Sequence, residues 1–267
     1  LNRFPGLGGR LLVAIPGICL FLWVVLFAGD TATLALFSLL SGLAGYEAAR
    51  LCRPSMTVGQ GAVLGICSAL LTWLVGAGSR LALPAVLLPG AVLVPWRLFR
   101  RGPDEFRREV LGALGPAAFY SLGFGILGRL AVGPEDRVFV LLPLVTCWTG
   151  DTLAYLVGCR WGRHKMLPRV SPGKSWEGFA AGLAGSGLAA AVLGLGRHPV
   201  AQFAAIGLVC GAAGVLGDLF ESAVKRDSGL KDSGTILGGH GGIMDRFDSV
   251  AAAAPAAAAV LMILGKV

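Results

Sequence analysis

The densest polar stretch of this chain, GDLFESAVKRDSGLKDSGTILGGHGGIMDRFDS at residues 217–249, holds ten charged side chains out of 38 in the whole sequence. Within it Asp218, Glu221, Ser222 and Lys225 recur at i, i+3, i+4 and i+7, a spacing that puts them on one face of a helix. Four glycines then flank His240: Gly238, Gly239, Gly241 and Gly242. Such a run lets backbone N–H groups approach and cradle an anion, although a plain glycine turn is the simpler account of the cluster alone. No GxxxxGK(S/T) is present, so this is no Walker-type loop. Asp245 and Asp248 follow at i and i+3, on one side of a helix start, and can offer carboxylate oxygens to a hard cation. Lys225, Arg226, Lys231 and Arg246 can meet phosphate oxygens in the same neighbourhood. Acids for a divalent ion, with bases and glycine amides for phosphates, are the parts of phosphoryl or nucleotidyl transfer.

Two further segments carry chemistry of the same kind. In CWTGDTLAYLVGCRWG, Asp151 precedes Gly158 by seven residues, as Asp218 precedes Lys225, with Tyr155 one turn on. At ~1.5 Å per residue each carboxylate lies roughly 10 Å below the polar end of its helix. In SPGKSWEG, Ser171, Lys174 and Ser175 suit phosphate contacts while Pro172 and Gly173 shape the backbone. Glu177 then stands at a helix entry, to cap it or to face the site. The neighbouring Arg160, Arg163 and Arg169 read as ordinary charges of a positive-inside loop, and His164 and His198 as surface residues.

The elements that must position these groups are membrane helices. With 55% hydrophobic and 14% charged residues and a mean hydropathy of +0.74, the chain has too little polar surface for a soluble domain. The expected fold class is all-α and polytopic, with about nine spans near 11–29, 31–48, 58–78, 81–96, 110–128, 138–157, 177–196, 199–220 and 249–265. The fourth is interrupted by Pro84, Pro89 and Pro95, and the ninth, AAAAPAAAAVLMIL, is only mildly apolar. Nine spans place 18 of the 23 Lys and Arg on the side of the N-terminus, which makes that side cytoplasmic. The net charge of +8 is then mostly topology, with attraction to anionic lipid second, and gives no argument for nucleic acid. The first apolar run ends in FAGD without a small-x-small cleavage pattern, so it is expected to stay as a helix. The six cysteines lack metal-like spacing and are expected to be small apolar fillers.

A carboxylate inside a span costs ~2.5–3.5 kcal/mol and must face protein or a wet cavity. One reading pairs each with a base, Asp218 with Lys225 and Asp151 with an arginine. The other makes them part of a site with the polar loops.

The run SAVKRDSGLKDSGTILGGHGGIMDRFD, Ser222 to Asp248, resembles over its whole length the signature of phosphatidate cytidylyltransferases, also called CDP-diacylglycerol synthases. DTLAYLVG and SPGKSWEG resemble a second region of that family, so the likeness covers about the C-terminal 120 residues. Gly238 stands where proline is common in the family and Gly173 where lysine is common, which leaves any basic contact there to Lys174. The resemblance implies a magnesium-dependent reaction of CTP with phosphatidic acid to give CDP-diacylglycerol and pyrophosphate, with room for a second cation. It implies Asp218, Asp245, Lys225 and Arg226 as the catalytic group, and Asp218 and Asp245 as leading metal ligands, followed by Asp248 and Asp151. Ser171, Lys174, Glu177, Ser222, Lys231, Asp232, His240, Gly241, Gly242 and Arg246 are implied as substrate contacts. It further implies a homodimer among membrane lipids, in a bacterial plasma membrane with the site facing the cytoplasm.

On this reading residues 1–135 form a helical scaffold and 136–267 the catalytic part of one continuous membrane domain. A CDP-alcohol phosphotransferase is disfavoured because its DGxxAR element with downstream GxxxDxxxD is missing. A lipid kinase would release a nucleoside diphosphate instead of pyrophosphate. A transporter would use Asp151 and Asp218 as ion sites, and the first five spans are read as holding no matching acidic positions.

Overall fold

The computed structural model describes residues 7–52, 58–82, 110–132, 137–230, 232–234, 236 and 241–267. These form eight α-helices: α1 (Leu7–Phe27), α2 (Asp30–Cys52), α3 (Val58–Gly76), α4 (Gly115–Val132), α5 (Val138–Trp161), α6 (Trp176–Leu193), α7 (Val200–Asp227) and α8 (Met244–Ile263). A π-helical turn, Val110–Leu114, leads into α4, and a two-stranded antiparallel hairpin, β1 (Lys165–Leu167) and β2 (Ser171–Ser175), joins α5 to α6. Six helices are long and apolar enough to cross a bilayer: Asp30–Leu51 within α2, then α3, α5, α6, α7 and α8. The fold is thus nearly all-α and built for a membrane, and the predicted span 81–96 lies almost wholly outside the described residues.

Lipid tails are as apolar as leucine, so these helices associate through close backbone approach and buried hydrogen bonds. In α3 the buried residues Gly61, Gly65, Ser68, Thr72 and Gly76 form one stripe. That stripe meets α2 and α4, where Ser41 donates to the Ser68 carbonyl (3.2 Å) and Thr72 to the Ser121 carbonyl (3.1 Å). On the other side of the molecule α5 packs on α6, α6 on α7 and α7 on α8. A Cβ added to Gly182 would stand 3.0 Å from the Gly150 carbonyl oxygen, and Ser186 donates to the Thr146 carbonyl at 2.9 Å. Helix α8 also packs on α4 and so joins the two groups. Its Phe247 ring lies 5.7 Å from Phe21 and 5.3 Å from Phe124, which fixes the rotation of α8 about its axis.

Several sequence expectations change: the second and sixth spans, expected to end at 48 and 157, run on to Cys52 and Trp161. The eighth span was expected to end at 220, but α7 continues to Asp227 because Glu221 and Lys225 point into protein and the helix outlasts its apolar stretch. The ninth was expected to begin at 249, but α8 begins at Met244 and takes Asp245 and Asp248 into its first turns. The polar segment 159–178, read as a loop, contains the hairpin, in register Lys165 with Ser175 and Leu167 with Ser171. The described cysteines Cys19, Cys67, Cys147, Cys159 and Cys210 are free thiols.

Candidate active site

The polar groups converge where the C-terminal turns of α7, the N-terminus of α8 and strand β2 meet. In α7 the i, i+3, i+4, i+7 face is present as expected, with Glu221 only 1% exposed. The carboxylate oxygens of Asp218, Glu221 and Asp248 lie within 4.8 Å of one another, the one such group of metal-ligand type among the described residues. Asp218 Oδ2 pairs with Lys174 Nζ at 2.7 Å, and Asp218 Oδ1 accepts from Ser222 Oγ at 3.2 Å. Asp248 Oδ1 accepts the Ser249 N–H at 2.7 Å, while Ser249 Oγ donates to Asp151 Oδ2 at 3.3 Å and so links Asp151 to the edge of the group. The anticipated partners were different: Asp218 meets Lys174 of the hairpin, not Lys225.

Lys225 instead bridges Glu221 Oε2 (2.9 Å) and Asp245 Oδ1 (2.8 Å). Asp245 Oδ2 accepts from the Ser233 N–H (3.1 Å), the Ser233 hydroxyl (2.9 Å) and the Gly242 N–H (2.8 Å). Asp245 therefore orients Lys225 and pins the loop onto α8. Gly241, at φ +82, makes the turn that aims the next N–H at this carboxylate, a backbone state that favours glycine.

The rest of the anticipated set is distributed around this centre. Arg226 donates to the Val170 carbonyl (3.4 Å) and the Leu230 carbonyl (3.3 Å), tying the hairpin turn to the end of α7. Glu177 holds His164 through Nδ1 (2.6 Å) and the backbone N–H (3.2 Å), so it braces the base of the hairpin. Ser171 begins β2, Asp232 is exposed in the loop, and Arg246 is exposed on the first turn of α8. Lys231 and His240 lie outside the described residues.

The donor set fits a divalent cation. Three hard carboxylates face one point, and Glu221 Oε1 is buried without a hydrogen-bond partner among the described residues. A buried, unsatisfied carboxylate oxygen is costly unless something positive meets it. Glu221 stands on the face that the spacing predicts and belongs to the site, as do Ser233, Ser249 and Glu47, none of them among the expected site residues. Glu47 is a carboxylate inside an apolar span, the signal that singled out Asp151 and Asp218.

Comparison with known proteins gives an independent bearing. The model of the Cytidylyltransferase family matches residues 9–264. A phosphatidate cytidylyltransferase of Mycobacterium bovis is 35% identical over 228 residues, covering 79% of this chain and 71% of that protein. One from Staphylococcus haemolyticus is 32% identical over 250 residues, covering 90% of this chain and 93% of that protein. One from Pseudomonas aeruginosa is 44% identical over 137 residues, covering 49% of this chain and 50% of that protein.

Proposed function

The chain belongs to the cytidylyltransferase family, and on that premise we propose that it makes CDP-diacylglycerol and pyrophosphate from CTP and phosphatidic acid, at the cytoplasmic face of a bacterial plasma membrane. The observation that carries this reading is the meeting of the Asp218, Glu221 and Asp248 carboxylates with the amines of Lys174 and Lys225 at the polar end of membrane helices. Acids and bases side by side suit a reaction that brings two polyanions together.

Phosphatidic acid carries a phosphomonoester whose second pKa is roughly 6, so near neutral pH its oxygen is already a nucleophile without a general base. That oxygen forms a bond to the α-phosphorus of CTP as the bond from this phosphorus to the bridging oxygen breaks, and pyrophosphate leaves with its electron pair. The protein's share is orientation and charge. Lys174, on a short hairpin, and Lys225, held between two carboxylates, have amines placed to exchange a carboxylate for a phosphate oxygen when substrates arrive. The anticipated amide contact at Gly242 is already taken: its N–H is held by Asp245 and the next two by Glu47, so these groups set the start of α8. Asp218, Glu221 and Asp248, with Asp151 and Asp245 at their margins, are the residues that would hold magnesium, which supplies neutralisation of phosphate charge when bound.

The deciding experiment measures pyrophosphate release by purified protein in mixed micelles with phosphatidic acid and magnesium, comparing CTP, ATP and no nucleotide. Release that requires CTP, lipid and magnesium together, with a CDP-lipid product, is the expected result. Nucleoside diphosphate release would replace this reading with a kinase, and silence from folded protein would remove it.

A further inference from the structure

The first five predicted spans hold no motif of the proposed reaction, yet they reach its centre through Glu47. This residue lies in the last turns of α2, three positions before Arg50, and is 2% exposed. Its Oε1 accepts the N–H of Ile243 and its Oε2 the N–H of Met244, both at 3.0 Å. These N–H groups are among those a helix cannot satisfy internally at its N-terminus, and a carboxylate there also meets the positive end of α8. A Cβ added to either Gly234 or Gly242 would strike the Glu47 carboxylate, so the loop before α8 is packed directly upon it. From α4, the Tyr120 hydroxyl donates to the Met244 carbonyl at 2.9 Å. Met244 is thus held at its N–H by α2 and at its carbonyl by α4, one residue before Asp245 and four before Asp248.

We infer that Glu47 is a positioning residue for the transfer reaction. It fixes where α8 begins, and with it the reach of Asp245 to Lys225 and of Asp248 to Asp218 and Glu221. Tyr120, from the same helix group as Glu47, secures the same residue at its carbonyl. The first half of the chain is therefore part of the active-site machinery as well as its support. The effect on turnover rests on the proposed function; the effect on the geometry of α8 does not.

The test uses full-length protein in detergent, with Glu47→Gln, Glu47→Ala and Tyr120→Phe. Arg137→Gln serves as a control, because it breaks the Asp30–Arg137 ion pair at the other end of α2. Hydrogen exchange is read over residues 241–248 and, separately, over 250–261. Glu47→Gln keeps one acceptor and should speed exchange of one amide in 241–248 by at least ~10-fold; Glu47→Ala should free both, with 250–261 unchanged. Manganese binding, read by electron paramagnetic resonance, should weaken by ~10-fold in Glu47→Gln, and kcat for CDP-lipid formation should fall by ~10–100-fold, as for groups that orient metal ligands. KM for CTP and for phosphatidic acid should stay within about threefold. Arg137→Gln should alter none of these. Exchange in 241–248 that matches wild type, or rises equally along α8, would overturn the inference. So would manganese binding and kcat no lower than in the control. If wild-type protein makes no CDP-lipid, the proposed function fails while exchange and manganese binding still decide the role of Glu47.

Discussion

At Glu221 a carboxylate is 1% exposed, with one oxygen on Lys225 and the other without a partner among the described residues. A ligand that binds only the folded state raises its stability by mass action. Magnesium should therefore raise the unfolding temperature of wild-type protein in detergent and leave that of Glu221→Gln unmoved, with turnover in the variant down by ~100-fold or more. A thermal-shift titration checks the first part and a CDP-lipid assay the second. Asp245→Asn should also abolish turnover while leaving folded protein, because an amide cannot accept on all of the sites that now hold Lys225, Ser233 and Gly242. Near-wild-type activity in that variant would remove Asp245 from the machinery. The sequence made Asp218, Lys225, Asp245 and Asp248 legible because charge inside an apolar chain is conspicuous. Pairing was not legible: which base meets which acid depends on the hairpin reaching across to α7, and periodicity along one helix says nothing of that.

Between helices, spacing is set by glycine. A Cβ at Gly217 would collide with the Asp248 carbonyl oxygen and stand 2.8 Å from the Ala252 methyl, so α7 and α8 touch through backbone where the acidic group forms. Gly217→Val should cost ~1–3 kcal/mol of stability, as overpacking does, and depress turnover further than that loss explains, since it moves Asp248 away from Asp218. Unfolding in detergent and kcat, measured together, separate the two effects. The hairpin predicts the opposite outcome at Gly173, which has no atom within 4 Å of a Cβ position. Gly173→Lys should be accepted with turnover within about twofold of wild type, a surface change being usually worth less than ~0.5 kcal/mol. Hydropathy marked the six described spans but set several ends short: α2, α5 and α7 run past the expected ends and α8 begins before its own, because these helices continue into polar sequence wherever neighbouring protein takes the place of lipid. Strands of three and five residues are too short for alternation to reveal them.

Across the molecule, many large apolar side chains face outward, among them Ile66 at 60%, Leu188 at 66% and Ile263 at 83% exposure, as lipid contact requires. The basic residues gathered around the site segments predict that they face the cytoplasm. A cysteine at Arg163, in a background without the exposed native thiols, should react with an impermeant maleimide in inside-out vesicles and stay unlabelled in intact cells; the reverse pattern would invert the topology. The contrast between motif-poor and motif-rich halves gives no sign of the bond between them, since Glu47 and Ile243 are 196 residues apart. That separation bears on biosynthesis. Asp218 and Glu221 have Lys174 and Lys225 beside them as soon as α7 is made, but Glu47 waits with no amide to accept until Ile243 and Met244 have left the ribosome. The nascent chain passes through a stage in which buried charge lacks its partners, when it is most exposed to quality-control proteolysis, and the insertion of α8 closes that interval at the same moment that it completes the catalyst.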